Sequence, residues 1–442
     1  MAQAYVPFFN IIVYGFIYLT VIGGVLLMFP FASADGVFTG PADTFFTAAS
    51  AVSATGLVVN STHDYWSQGG QLVIMALMQI GGIGFMTTSA FLLLLVRGRV
   101  NLGDDLISET LGSASPRRFV TFVGAVLFFT ILIEAAGGLL FFLRFREAFP
   151  ENGLFESSFY TISGFNNAGF DLEPRFDGVS AFHGDPQILG ILASLFLIGG
   201  IGVPIAMVVL TRRPWKRWSL DMKLAISTTL ALLLVGAIII GAIEMAAALA
   251  DDGDASFGNK AMNALFLSGS ARTAGFATVD IGALTNSALL LLMLLMFIGG
   301  VSGSTAGGIK VNTFATLFLT AVSYLRGQQR VHAFGKIIPE LQLHRAIAIA
   351  FLGVLLVFLL TIILSATEGL DFLSILFESV SAFSTTGFST GITPDLSTAG
   401  KAVLTVGMLV GRMGPLIVVL ALSRHKDVRQ EAEGEEESIR VG

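Results

Sequence analysis

The sequence predicts an all-α integral membrane protein built from four span–half-helix–span repeats. Eight transmembrane helices and four re-entrant pore helices would stand in pseudo-fourfold arrangement around one pore. Three observations predict it: apolar runs of spanning length, a short apolar segment inside each pair of runs, and two glycine signatures that recur four times in fixed order. Of 442 residues, 54% are hydrophobic and 13% charged, against about 25% charged in an ordinary soluble domain. The 50 glycines suit close helix packing or irregular backbone inside a membrane. No cysteine is present, so disulfides and thiol chemistry are excluded. The histidines His63, His183, His332, His344 and His425 do not cluster at metal-ligand spacing.

The long apolar segments fall near 8–30, 70–96, 118–143, 186–211, 223–250, 285–325, 343–366 and 400–423. A run of about 20 apolar residues crosses a bilayer core. The first run follows no basic stretch and precedes no cleavage site, so it reads as a retained span, not a signal peptide. Between the members of each pair lie 42–54, 153–166, 259–273 and 371–385. About 12 helical residues reach only some 18 Å, too short to span, which marks these segments as re-entrant half-helices. The units are repeat 1 (1–96), repeat 2 (118–211), repeat 3 (223–325, with an intramembrane gate loop near 300–308), repeat 4 (343–423) and an acidic, solvated tail (424–442).

The half-helices run into SATGLVV (53–59), NNAGFDL (166–172), RTAGFATVD (272–280) and STTGFSTG (384–391). Their glycines, Gly56, Gly169, Gly275 and Gly387, are separated by 113, 106 and 112 residues. The second spans carry QIGGIG (79–84), LIGGIG (197–202), FIGGVSG (297–303) and LVGRMG (409–414). Two independent signatures in one order, four times over, mark an internal repeat.

Lys and Arg set the expected orientation. Loop 97–118 carries Arg97, Arg99, Arg117 and Arg118; loop 211–223 carries Arg212, Arg213, Lys216, Arg217 and Lys223; loop 326–345 carries Arg326, Arg330, Lys336 and Arg345. The opposite side has Arg144, Arg146, Arg175, Lys260 and Lys401 among acids such as Asp251, Asp252 and Asp254, with Glu147 and Glu151 beside the first two. The positive-inside rule then puts both termini in the cytoplasm and brings the half-helices in from outside. An acidic outer face would raise the local cation concentration.

A cation crossing hydrocarbon needs its hydration shell replaced, and rings of backbone carbonyls do this without fixed charge. Glycine suits the irregular loop required. The adjoining residues are small or polar: Ala54, Thr55, Asn167, Ala168, Thr273, Ala274, Thr385 and Thr386. No acid sits in the core of any loop, which argues against a carboxylate ring for divalent cations. The candidate ligand is therefore a monovalent cation bound at the loop carbonyls. In repeat 3, Gly299, Gly300, Gly303, Gly307 and Gly308, with Ser302, Ser304 and Thr305, are too glycine-rich for a continuous helix. The stretch GSTAGGIK (303–310) lacks the Gly-Lys-Ser/Thr of a phosphate loop. Intramembrane charges are functional candidates. Arg412 replaces a glycine of the fourth second span. Lys310 follows the loop, where it can snorkel to the cytoplasm, and Arg272 braces the third filter loop. Glu134, Glu156, Glu244 and Glu378 are expected as buried hydrogen-bond partners.

These motifs, with GGVSGSTAGGIK (299–310) and GRMGPL (411–416), resemble the Trk/Ktr/HKT superfamily of cation transporters over nearly the whole chain, and most of all the membrane subunit of the Ktr system. The resemblance implies that Gly56, Gly169, Gly275 and Gly387 are filter glycines of a potassium-preferring pore. Some sodium-conducting relatives have serine in the first loop. The single span before the first half-helix favours the Ktr type over Trk proteins with two further N-terminal spans. The resemblance implies a pore-gating loop containing Gly300, Gly303, Ser304, Thr305, Gly307, Gly308 and Lys310, with Arg412 facing it. It also implies a homodimer in the cell membrane and a cytoplasmic ring of nucleotide-binding, RCK-type regulatory subunits. Neither an organic cofactor nor a nucleic-acid partner is expected.

Two rivals belong to other classes. A sodium-coupled secondary transporter would use inverted repeats, whereas units of two spans enter in one orientation. An intramembrane enzyme needs paired acids, a Ser–His or Ser–Lys dyad, or a metal cluster, and the spans offer none. A sodium-permeable or sodium/potassium transporter of the same superfamily is the alternative within the class.

Overall fold

The computed structural model describes residues 6–97, 116–148, 152–210, 212, 214–248 and 257–414. The acidic tail, Arg99, Arg213, the acids at 251–254, Glu151 and the last part of the eighth apolar run lie outside the described residues.

The chain repeats one pattern of long helix, short helix, irregular return and helix. Repeat 1 has α1 (Val6–Met28), the short α2 (Pro41–Val52) and α3 (Gln68–Arg97). Repeat 2 has α4 (Pro116–Ala148), the short α5 (Gly153–Phe165), then α6 (Pro186–Ile201) and α7 (Val203–Leu210). Repeat 3 has α8 (Leu220–Ala248), the short α9 (Phe257–Ser270), then α10 (Asn286–Phe297) and α11 (Val311–Leu325). A hairpin of β1 (His332–Ala333) and β2 (Lys336–Ile337) follows, with His332 opposite Ile337. Repeat 4 has α12 (Glu340–Thr367), the short α13 (Phe372–Ser384) and α14 (Thr398–Met413).

Local chemistry starts these helices. Asp185 accepts from the backbone N–H of Gln187 and Ile188 ahead of Pro186, the first residue of α6. Thr285 and Ser397 cap α10 and α14 in the same way. The expected spans at 186–211 and 285–325 are each broken in two. Gly202, at φ 84°, interrupts the first. The second leaves helical geometry from Ile298 to Lys310 because its glycines forfeit helix propensity where other contacts are on offer.

Each short helix packs closely on the first helix of its own repeat (α1 with α2, α4 with α5, α8 with α9, α12 with α13). Each second helix also touches the short helix of the next repeat: α3 meets α5, α6 meets α9, α10 meets α13, and α14 returns to α2. The four units thereby close into a ring. The second glycine signature explains how they approach. A Cβ on Gly81, Gly199 or Gly411 would strike the carbonyl oxygen of Val52, Phe165 or Phe383, at or near the C-terminal end of the short helix of the same repeat. Repeat 3 departs: Gly299 abuts the Gly307 carbonyl of its own loop.

Among the described residues, Gln68–Thr87, Val123–Arg146, Leu220–Glu244 and Glu340–Thr367 are long and apolar enough to cross a bilayer. The first of these, a second helix, is 50% buried, while Leu220–Glu244, in a first helix, is 17% buried. First helices therefore present Leu234, Ile238, Phe351 and Phe358 to the surroundings, an apolar exterior that suits lipid.

Candidate functional site

At the centre of the ring the four loops after α2, α5, α9 and α13 have one backbone conformation. Two residues before each glycine the chain turns left-handed: Ala54 (φ 49°), Asn167 (54°), Thr273 (71°) and Thr385 (51°). The glycines follow at φ 89°, 71°, 78° and 95° for Gly56, Gly169, Gly275 and Gly387. Successive loops touch in cyclic order. A Cβ on Gly56 would lie 2.5 Å from Ala168 O, and one on Gly169 would lie 2.9 Å from Ala274 O. On Gly275 it would strike Thr386 O, and on Gly387 Thr55 O. The carbonyls of Thr55, Ala168, Ala274 and Thr386 thus form a closed ring beside the four glycines. Glycine is required there twice over, for positive φ and for the neighbouring carbonyl. The side chains around the ring are uncharged and buried. The hydroxyls of Thr273 and Thr385 are buried without hydrogen-bond partners among the described residues.

The loop between α10 and α11 lies against these four loops. Its base is closed by Gly299 N–H to Ile309 O at 2.8 Å and Val311 N–H to Gly300 O at 3.0 Å. Val301 and Thr305 donate backbone N–H to Gly200 O and Gly199 O of α6, and the Ala306 N–H bonds Ser304 Oγ. Gly202 packs on Gly303 O, and Gly307 packs on Ser384 O and the Thr385 side chain. Thr305 spends all its polar groups on three different elements. Its hydroxyl donates to Asn167 Oδ1 (2.8 Å) and Phe165 O (3.2 Å) at the end of α5 and the start of the loop after it, and its carbonyl accepts from Arg412 Nη1 of α14.

Arg412 is fully buried, with its guanidinium carbon 4.5 Å from the centre of the Phe85 ring of α3. Lys310 does not snorkel away. It folds back to donate to Ala306 O (2.5 Å) and Gly307 O (3.4 Å), with Nζ 4.9 Å from the centre of the same Phe85 ring. Both cations lie against one aromatic ring, a contact worth about 2 kcal/mol when desolvated. Backbone carbonyls left free by the irregular loop are better partners than a distant interface.

A central ring of carbonyls, a glycine-rich loop beneath it and an apolar exterior together define a transport architecture. The family model described as TrkH, a cation transport protein, matches residues 4–430. The chain belongs to this family. The Ktr system potassium uptake protein B of Bacillus subtilis is 35% identical over 94% of this chain and 93% of its own length. Its counterpart in Vibrio alginolyticus is 36% identical over 94% and 91%. The potassium/sodium uptake protein NtpJ of Enterococcus hirae is 34% identical over 98% and 97%. These relatives are transporters, not enzymes. The crystal structure of the potassium transporter TrkH from Vibrio parahaemolyticus has the same fold, with a TM-score of 0.75 and 22% identity over 94% of this chain and 84% of that one. The protein is a multi-pass membrane protein of the TrkH family.

A 410 Å³ cavity is lined by all four ring glycines, Gly56, Gly169, Gly275 and Gly387. Asp171, Glu173, Asp177 and Asp280 line it together with Arg175. Burial raises the Glu173 carboxyl above its usual range, opposed by the hydrogen bond from Tyr160. Arg175 (φ 59°) and Phe176 (φ 61°) are both left-handed, held by Asp64, which accepts the Arg175 N–H at 2.9 Å. That bond, with those from His63 and Ser61, holds Asp64 down at about 2. Arg144, which runs against the charge asymmetry, is paired with Asp185 at 2.8 Å.

Among the other predicted residues, Arg272 is buried and donates to Thr229 O, Thr229 Oγ1 and Gly299 O, bridging the loop after α9 to α8 and to the chain just after α10. Glu378 is fully buried and accepts from Ser389 Oγ, Thr390 N–H and Thr393 Oγ1. Glu134 accepts from Gln79 Nε2 at 2.8 Å and is approached by Asn166 Nδ2 at 3.4 Å. Glu156 is half-buried. Glu244 departs from expectation, since its Oε1 is buried without a partner among the described residues. Phe85, Gln79 and Asn166 were not singled out by the sequence: an apolar ring and two amides in apolar helices give no periodic or charge signal.

Proposed function

We propose that the chain is the ion-translocating subunit of a potassium-uptake system. Its repeats 1–96, 118–211, 223–325 and 343–423 supply eight spans and four re-entrant half-helices. Potassium, the transported substrate, loses water at the mouth and gains the carbonyls of Thr55, Ala168, Ala274 and Thr386 beside Gly56, Gly169, Gly275 and Gly387. The short helices end at this ring and turn their partly negative C-termini toward the ion. The acids of the outer cavity concentrate cations above it.

The loop around 300–308 is the gate. Gly300, Gly303, Gly307 and Gly308 let it fold beneath the filter, Ser304 and Thr305 fasten it, and Arg412 and Lys310 place positive charge where an ion must pass. The bonds from Thr305 to three elements support a closed gate in this arrangement. Both termini are cytoplasmic, the protein forms a homodimer, and an RCK-type ring of nucleotide-binding subunits docks on the basic inner loops and controls the gate. The family's Ktr-named relatives and the exposed Arg326 and Lys336 support this assembly.

The observation that carries the reading is the cyclic contact of four glycine–carbonyl pairs. The test is cation flux into proteoliposomes at equal gradients of potassium, rubidium and sodium. Potassium and rubidium fluxes well above sodium are expected; an equal or larger sodium flux overturns potassium preference. A sodium-permeable transporter is the second reading, favoured by the likeness to the Enterococcus hirae potassium/sodium uptake protein, and the same measurement decides between them.

A further inference from the structure

The four filter loops are braced in two different ways. Three residues before each filter glycine stand Ser53, Asn166, Arg272 and Ser384; one residue before stand Thr55, Ala168, Ala274 and Thr386. Where the later residue is Thr, the earlier one is Ser and the two hydroxyls bond. Ser53 Oγ lies 2.6 Å from Thr55 Oγ1, and Ser384 Oγ lies 2.8 Å from Thr386 Oγ1. Where it is Ala, no such bond is available, and the earlier residue is a long polar side chain that reaches out of its loop. Arg272 reaches α8 and Gly299. Asn166 reaches α3 and α4: its Nδ2 donates to Gln79 Oε1 at 2.7 Å and approaches Glu134 Oε1 at 3.4 Å, while Gln79 Nε2 donates to Glu134 Oε2 at 2.8 Å.

We propose that Glu134, acting through Gln79 and Asn166, is a positioning residue that fixes the second filter loop and thereby sets ion preference. The inference rests on the filter reading above. Its logic is the polarity of the chain of amides. An amide can be turned end for end at little cost, but Glu134 Oε2 accepts from Gln79 Nε2, which fixes the direction of the chain. Glu134 therefore orients Gln79 with Nε2 toward itself and Oε1 toward Asn166. That in turn orients Asn166, which is fully buried and immediately precedes the left-handed Asn167. Asn167 and Ala168 carry the carbonyl that meets Gly56. A buried network of this kind acts as a unit, and losing one member leaves the others unsatisfied.

The experiment measures the potassium-to-sodium flux ratio in proteoliposomes for E134A, Q79E and the double swap Q79E/E134Q. Q79E alone sets two acceptors against each other. The swap keeps every donor and acceptor while exchanging their helices. E134A and Q79E are expected to lower the ratio roughly three- to tenfold, the scale of one buried hydrogen bond, and the swap to restore most of it. A simple packing defect would not be repaired by the swap, so an unrepaired swap overturns the proposal, as does an unchanged ratio in E134A. Should E134A fail to fold, N166S/A168T replaces it. That pair installs the hydroxyl brace of the first loop, and on its background E134Q is expected to leave the ratio unmoved; a fall there also overturns the proposal. G169S separates the two levels of inference. If G169S shifts the ratio and E134A does not, the brace falls and the filter stands. If neither shifts it, both fall.

Discussion

At Gly56 a serine would meet two obstacles at once. Its φ of 89° is strained for any side chain, at a cost of order 1–3 kcal/mol, and its Cβ would crowd Ala168 O at 2.5 Å. Relief requires the first or second loop to shift, which opens the ring and favours an ion less dependent on close carbonyl contact. G56S is therefore expected to raise sodium permeation relative to potassium, read as a flux ratio; an unchanged ratio would count against the filter assignment. The four glycines were legible because each is demanded by local backbone geometry that repeats. For Lys310, the snorkelling alternative gives way to bonds with Ala306 O and Gly307 O, partners that exist only once the loop has folded. Asp64 gives a second prediction at this scale. Its folded value of about 2 lies below its ordinary 3.8, chiefly because it accepts the Arg175 N–H. A carboxyl depressed on folding adds stability above its unfolded value, and that contribution fades as pH falls from 3.8 toward about 2. D64N is expected to weaken that acid sensitivity, seen as a smaller drop in unfolding temperature over this window than in the parent.

Elements fail in the sequence where tertiary partners outbid local propensity. The run at 186–211 reads as a single span, yet Gly202 ends α6, while the run at 285–325 breaks where its glycines crowd, the chain leaving α10 after Phe297. The glycine surplus signalled the second break because five glycines in ten residues cannot hold a helix; a lone Gly202 gave too little signal for the first. What no pattern revealed is that Thr305 fastens the loop at three points, to α6, to the second filter loop and to α14. Each bond is worth about 1 kcal/mol, so the loop is held firmly yet remains within reach of a regulatory partner's binding energy. T305V removes the hydroxyl donor and leaves Asn167 Oδ1 unpaired. It is expected to raise potassium flux in the absence of any cytoplasmic subunit, and deleting 303–307 should raise it further. A deletion that conducts no better than the parent would argue that the loop is a packing element and not a barrier.

The whole molecule is a ring whose last unit closes on its first, since α14 packs on α2 as α3 packs on α5. The repeat spacing led to the expectation of a pseudo-fourfold arrangement, because four similar units with one short helix each have few other ways to bury those helices. Orientation is a separate matter, set by charge and not by packing. Closure places the outer cavity with Asp171, Glu173 and Asp177 on one face of the ring and the loop from Gly299 to Gly308 toward the other. The basic residues Arg326, Arg330 and Lys336 follow α11 in the chain, and the positive-inside rule predicts that they face the cytoplasm. The absence of cysteine makes this directly measurable, because a single introduced thiol labels without background. In intact cells an impermeant maleimide is expected to modify G184C, in the exposed turn before α6, and to reach Q328C, in the exposed turn after α11, only after permeabilisation. The reverse pattern would invert the ring. The acids would then concentrate cations from the cytoplasm, the gate would face outward beyond the reach of any cytoplasmic subunit, and uptake would no longer follow from the architecture.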